Sequence, residues 1–318
     1  MFPKPYCGVT RRGRSAADSA TACAGQLSMP QIDDQRTAFV LAGGGSLGAV
    51  QVGMLKALTR LNVVPDFVVG ASVGAINGAY FAAEPDERGV ARLERVWLRL
   101  RRADVFPFSA ATSILAVFGR RDHLVTPALL QALIESELPC QKLEDARIPC
   151  YVVATDVLTG SEIALASGPV VTALLASAAI PAVFPVVSID GRYLMDGGVA
   201  NNTPISTAVA LGAKRVVVLP TGVSCALEVP PRGAVALALH ALNLLVMRQL
   251  LNDIERFADR AELVVLPPLC PLATNAYDFS LTHDLIHRSE AATRLWLRKN
   301  GLHGRGAPPE LQPHLHDD

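Results

Sequence analysis

A serine flanked by glycines, Gly70-Ala71-Ser72-Val73-Gly74, stands where an apolar run ends and a small-residue run begins. Phe67-Val68-Val69 suits a buried strand and Val73 to Tyr80 a close-packed helix, so Ser72 falls at a strand-to-helix corner. In a G-x-S-x-G corner, Gly70 and Gly74 allow a sharp turn without a Cβ clash, and the hydroxyl is pushed into the open above the sheet. The chemistry this favours is nucleophilic attack on a carbonyl. The N–H of Val73, at a helix N-terminus, is placed to help stabilise the resulting oxyanion.

A second stretch, Gly43-Gly44-Gly45-Ser46-Leu47-Gly48, follows the strand Thr37-Ala38-Phe39-Val40-Leu41 and precedes a helix with Val52, Leu55, Leu58 and Leu61 at helical spacing. Gly43, Gly45 and Gly48 satisfy the dinucleotide pattern G-x-G-x-x-G, which expects an acidic residue at the end of the next strand. Asp66 precedes that strand instead, and what ends it is the serine corner. The glycines fit better as a loop whose bare amides, those of Gly44 and Gly45, converge on the oxyanion of an intermediate on Ser72. The third stretch, Asp196-Gly197-Gly198 after Tyr193-Leu194-Met195, puts a carboxylate at a strand end as a candidate base.

The elements that must hold these three stretches read as alternating strands and helices. Val90 to Arg102 is a helix with Val90, Leu93, Trp97 and Leu100 on one side. Its other side carries Arg92, Arg95, Arg99 and Arg102, a solvated basic face or a contact for anionic headgroups. Residues 107–123 suggest a lid, and Thr126-Pro127 opens another helix with Pro at its first position. Tyr151 to Thr155 is a strand ending in Asp156, with Ile163 to Ala166 beside it, and a small-residue helix starts at Val170. Ser177 to Pro185, broken by two prolines, is a rigid apolar loop suited to line an acyl pocket. Asn201-Asn202-Thr203-Pro204 caps the next helix. Strands at Arg215–Pro220 and Glu262–Pro267 enclose a long helix, Ala234–Ala258, and a final helix covers Leu281 to Lys299.

Composition bounds the remainder. Of 318 residues half are hydrophobic and 18% charged with zero formal net charge, so nothing favours nucleic acid as a partner. The six cysteines, Cys7, Cys23, Cys140, Cys150, Cys225 and Cys270, are scattered, suggesting neither a disulfide framework nor a zinc site, and the default setting is reducing and cytoplasmic. The most apolar window, Ala234 to Leu251, contains His240, Asn243, Arg248 and Gln249 and reads as a buried or half-buried helix rather than a membrane span. Arg11, Arg12 and Arg14 precede no apolar stretch, so no signal peptide is expected. Residues 1–35 read as a flexible tail, 36–300 as the catalytic domain and 301–318 as a loose end.

Taken in order, Gly43–Gly48, Gly70–Gly74 and Asp196-Gly197-Gly198 resemble the three signatures of patatin-like phospholipases, and Ala154-Thr155-Asp156 with Thr159-Gly160, and the Ser177–Pro185 segment, are similar to connecting motifs of that family. The resemblance covers about Thr37 to Lys299. It implies an α/β fold, a three-layer α/β/α sandwich with a mostly parallel central sheet. It implies an acyl-ester hydrolase working through a Ser–Asp dyad without histidine, metal or cofactor. Ser72 matches the nucleophile, Asp196 the base, and Gly43, Gly44, Gly45, Ser46 and Gly48 the oxyanion loop. The implied partner is a lipid or other acyl ester, with peripheral membrane contact. Leu47 departs from the family, which often has Arg or Lys there. Three alternatives stand beside this reading: a Ser–Asp–His triad using His283 or His287, a dinucleotide-binding protein, and a lipid binder without turnover.

Overall fold

The computed structural model describes residues 36–106, 123–222, 225–226, 229–272, 274, 276–304 and 306–312. The amino-terminal tail with Cys7, Cys23 and its arginines, the 107–122 part of the expected lid, and residues 313–318 lie outside the described residues.

Among the described residues the chain builds one sheet of eight strands: β1 (Thr37–Leu41), β2 (Phe67–Ala71), β3 (Cys150–Asp156), β4 (Glu162–Leu165), β5 (Val187–Ile189), β6 (Arg192–Asp196), β7 (Arg215–Leu219) and β8 (Glu262–Val265). Their order is β5-β6-β3-β2-β1-β7-β8, with β4 added against β3. The five strands β3-β2-β1-β7-β8 run parallel, whereas β4, β5 and β6 are antiparallel additions. Continuous apolar runs explain the centre, because a parallel strand is covered on both faces. Phe39 and Leu41 of β1 enter one core, Ala38 and Val40 the other.

The first core is closed by α1 (Ala49–Thr59), α2 (Val73–Ala83), α3 (Glu87–Arg99) and, from far along the sequence, the last helix, α10 (Thr282–Asn300). Between α3 and β6 come α4 (Arg102–Val105), α5 (Ala128–Glu137) and α6 (Val170–Ser177). After β6 come α7 (Gly198–Asn201), α8 (Ile205–Ala210) and α9 (Ala234–Phe257), of which α8 and α9 close the second core. The result is the expected three-layer α/β/α arrangement.

Several boundaries differ from the sequence reading for local reasons. Helix α3 begins three residues earlier because Asp86 accepts the N–H groups of Arg88 and Gly89, both at 2.9 Å, and it ends where Leu100 turns extended. Two of its arginines pair within the protein, Arg92 with Glu84 and Arg99 with Glu137. Pro127 flanks α5 rather than opening it. The Asn201–Pro204 stretch provides no side-chain cap for α8: Asn201 donates instead to Glu162 and Ser206. The carboxy-terminal stretch read as loose includes a 3-10 turn, Pro309–Leu311, whose Leu311 is buried in the second core. Cys225 and Cys270, far apart in sequence, sit with sulfurs 3.6 Å apart, the Cys225 thiol donating to the Cys270 sulfur without a disulfide between them.

Helix α9 is half-buried, as expected, but unevenly along its length. Its carboxy-terminal part buries Leu250, Ile254 and Phe257, yet its amino-terminal part leaves Leu237, Leu244 and Leu245 exposed. Among the described residues no helix is long and apolar enough to cross a membrane.

Candidate active site

Ser72 joins β2 to α2 with φ 53° and ψ −128°, a backbone state rarely taken by a residue with a side chain. The corner is held by contact that only glycine permits. A Cβ on Gly70 would lie 2.5 Å from the Gly74 carbonyl oxygen, and one on Gly74 would lie 2.3 Å from the Leu41 carbonyl oxygen. The Ser72 N–H is fixed by Ser177, whose Oγ accepts it at 2.8 Å and donates to the Val153 carbonyl at 2.5 Å.

Sheet register brings Asp196 to the serine across 124 positions of sequence. One edge of β3 carries β4; the other is shared end to end by β2, which pairs Ala71 with Val153, and β6, which pairs Asp196 with Ala154. Asp196 therefore stands one rung beyond Ala71, beside Ser72. The Ser72 Oγ donates to Asp196 Oδ2 at 2.7 Å, and the Gly198 N–H donates to Oδ1 at 2.7 Å. Thr155 Oγ1 donates to the Asp196 carbonyl at 2.8 Å, fixing the turn from beneath. Gly197 is bare for a reason: its Cβ would stand 2.2 Å from the Val153 carbonyl oxygen.

Burial governs the electrostatics. Desolvation pushes the Asp196 carboxyl up from the ordinary 3.8 to about 6, against the opposing pull of hydrogen bonds from Ser72 and Gly198. Burial, then the nearby Asp196 charge, raises the Tyr277 hydroxyl as well. Among the described residues lining the cavity that Ser72 and Asp196 share there is no Lys, Arg or His. His283 and His287 are exposed on α10 with ring centroids 4.2 Å apart, so the structure brings neither to the dyad. Asp66 accepts the Thr37 N–H at 2.6 Å, which ties the start of β1 and leaves it in no ribose-binding position.

The glycine loop narrows the set of expected donors. The Gly43 N–H is engaged by the Asn202 carbonyl at 3.0 Å and the Ser46 N–H by the Ala276 carbonyl at 2.8 Å, so neither amide is free. The N–H groups of Gly44, Gly45 and Val73 have no acceptor among the described residues. Gly43, Gly44 and Gly45 line the same cavity as the dyad, and a Cβ on Gly43 would fall 3.1 Å from the Ser72 Cβ. Gly48 has a different place: a Cβ there would stand 2.6 Å from a Val73 methyl and 3.0 Å from the Trp97 ring, so it serves helix packing. Leu47 is fully buried in the first core, pointing into apolar surroundings rather than into solvent.

A buried polar chain, unmarked by any motif, holds this loop to its neighbours. Trp97 Nε1 donates to Asn77 at 2.8 Å; Asn77 donates to the Gly48 carbonyl at 3.0 Å and to Gln51 at 2.9 Å; Gln51 donates to the carbonyls of Ala42 at 2.8 Å and Leu219 at 3.0 Å. Both ends of the glycine loop are thereby fastened to α2 and β7.

Beyond the serine an apolar channel runs between α2, α3 and the 178–184 loop. Ala178, Ile180 and Phe184 line it, as the proline-broken loop predicts, together with Trp97, Phe106 and Phe279. Phe106 stacks on Phe184 with centroids 5.8 Å apart, and Trp97 on Phe279 at 6.2 Å. The sequence marks Thr155 and Ser177 only as members of connecting segments; their hydrogen-bonding roles, and the place of Phe279 in the channel, carry no signal until a fold places them.

A family profile described as "Patatin-like phospholipase" matches residues 39–209. The chain is 29% identical over 187 residues to patatin-like phospholipase domain-containing protein 7 of Rattus norvegicus and, at the same identity and length, to protein 6 of that series in Homo sapiens. It is 28% identical over 187 residues to neuropathy target esterase sws of Drosophila melanogaster. Each alignment covers 58% of this chain but 13% of the relative. Among solved structures, VipD from Legionella pneumophila aligns over 83% of this chain and 67% of its own, with 14% identity and a TM-score of 0.45.

Proposed function

The chain belongs to the patatin-like phospholipase family, and on that premise we propose that it hydrolyses carboxylic ester bonds of lipids through Ser72 and Asp196, within a catalytic domain that starts at residue 36 and, past the expected boundary at residue 300, includes the buried Leu311. The observation that carries the reading is the 2.7 Å hydrogen bond from Ser72 Oγ to Asp196 Oδ2 at the strained corner.

Asp196 takes the hydroxyl proton as Ser72 Oγ attacks the ester carbonyl carbon. The oxyanion so formed meets the unengaged amides of Gly44, Gly45 and Val73, at the positive end of α2. Collapse expels the alcohol, which receives the proton from Asp196, and leaves the acyl group on Ser72. Asp196 then deprotonates water, which attacks the acyl-serine; the bond to Ser72 Oγ breaks, the proton passes from Asp196 back to that oxygen, and the fatty acid is released. A carboxyl at about 6 is ionised at neutral pH yet a far better base than an ordinary aspartate, which is the use of its burial. The apolar channel beside Ser72 receives the acyl chain.

Release of fatty acid from a panel of phospholipids, lysophospholipids and triacylglycerols tests the reading. Wild type is expected to hydrolyse at least one class, with Ser72→Ala and Asp196→Asn inactive on it. Turnover undiminished in Ser72→Ala, or no turnover of any ester by wild type, contradicts it.

A further inference from the structure

Helix α9 is two helices in its chemistry. Past Arg248 it has an ordinary pattern, with Leu250, Ile254 and Phe257 buried and Asn252, Glu255 and Arg256 exposed. Before Arg248 the pattern breaks. Leu237, Leu244 and Leu245 are 53%, 50% and 65% exposed, with Ala238 and Ala241 exposed among them. On the side turned inward, Leu242, Asn243 and Val246 line the cavity that contains Ser72 and Asp196.

This half-helix is thus apolar on its outer side and a wall of the active site on its inner side. Exposed leucines clustered over two turns are unfavourable in water and mark a contact surface. Charge says which kind. From Val229 to Asn252 the chain has no acidic residue, and its two arginines, Arg232 and Arg248, are exposed and bracket the leucines. An apolar face bounded by cations matches a phospholipid surface, with leucines among acyl chains and guanidinium groups at the phosphates.

We propose that the amino-terminal half of α9, through Leu237, Leu244 and Leu245 with Arg232 and Arg248, is the element by which this protein docks on a phospholipid surface. It rests on the lipid-hydrolase reading for its purpose: docking there brings the Leu242–Val246 wall of the cavity level with the lipid, so a substrate enters without crossing water. Binding itself requires no turnover.

The test is sedimentation of the full chain with vesicles of equimolar phosphatidylcholine and phosphatidylglycerol, in the Ser72→Ala background so that catalysis plays no part. The carrier Ser72→Ala protein is expected to sediment with the vesicles. Adding Leu244→Gln and Leu245→Gln is expected to weaken binding on the order of tenfold or more, from the apolar area no longer buried. Arg248→Glu is expected to weaken binding to these vesicles more than to pure phosphatidylcholine. With Ser72 intact, Leu244→Gln/Leu245→Gln is expected to lose hydrolysis of vesicle lipid while keeping that of a soluble p-nitrophenyl butyrate. Unchanged sedimentation in the leucine double variant, failure of the parent to bind, or a parent dimer that the leucine variant splits would overturn the proposal. Vesicle binding that depends on the leucines, in a protein that cleaves no ester, would leave the docking surface standing and sink the hydrolase reading alone.

Discussion

The two ends of the cavity around Ser72 are built by opposite means. At the polar end, position comes from backbone: sheet register sets Asp196 one rung past Ala71, bare glycines admit carbonyl groups at close range, and Ser177 and Thr155 bolt the two turns to β3. At the apolar end, position comes from overlapping rings, with Phe106 set between Phe184, Tyr277 and Phe279 at centroid distances of 5.5–6.4 Å. A backbone-built site fails by the single atom; a ring-built channel yields and repacks. The contrast predicts that substitutions at the two ends differ in magnitude and in kind.

The largest effect belongs to Ser72→Ala, expected to lower kcat for a lipid ester by on the order of 10⁴-fold or more with the fold intact by circular dichroism. Residual activity within about tenfold of wild type would remove the polar end from the chemistry altogether. Asp196→Asn is expected to cost on the order of 10³-fold or more, since it removes the proton acceptor.

Asp196 also links activity to stability, with a definite sign. Its carboxyl rises from 3.8 to about 6 on folding, so between those values the folded protein binds more protons than the unfolded chain. Stability therefore falls as pH rises through that window and stays lower above it, by ~3 kcal/mol at most. Activity runs the other way, rising with pH through about 6 as the base ionises. Thermal melting of Asp196→Asn against wild type is expected to show the variant more stable at pH 8 by several degrees, with the gap closing below pH 4. A variant less stable than wild type at pH 8 would mean that the buried carboxylate is not a burden on the fold.

Two alanine substitutions sharpen the backbone argument. In Gly197→Ala the new Cβ meets a main-chain oxygen of β3 at 2.2 Å, and a loss of about 2–4 kcal/mol in denaturant unfolding is expected. In Gly43→Ala the nearest atom, at 2.4 Å, is the end of the Asn202 side chain, which can swing aside. That variant is expected to lose less than half as much stability while still losing activity, because its Cβ crowds Ser72. Equal destabilisation by both would contradict the distinction drawn between backbone and side-chain neighbours. The smallest effect falls at the other end: Phe184→Ala is expected to change kcat/KM by less than about tenfold and to shift preference toward bulkier or longer acyl chains.

What the sequence disclosed follows the same division. Ser72, Gly70, Gly74 and Asp196 were legible because a sharp corner and a carboxylate turn need particular residue types at fixed spacing. The parallel strands were legible as continuous apolar runs. Strand β5 was not, since three residues are too few to show a period. The roles of Ser177, Thr155, Gln51 and Asn77 stayed hidden because these hydrogen bonds join positions from 24 to 168 residues apart. Which glycine amides are free was also beyond reach, because it depends on where the Asn202 and Ala276 carbonyls arrive. The direction of the α9 leucines was beyond reach for a related reason: composition marks the helix as apolar and half-buried, but only the fold shows that Leu237, Leu244 and Leu245 face outward.

The most direct test of the central claim is covalent trapping with a fluorophosphonate that carries an acyl-like chain, read by peptide mass spectrometry alongside residual lipid hydrolysis. A single adduct on Ser72, formed in step with loss of hydrolysis and absent from Ser72→Ala, is the result expected. An adduct on another residue that abolishes hydrolysis, or hydrolysis that continues with Ser72 fully modified, would contradict the assignment of Ser72 as the nucleophile.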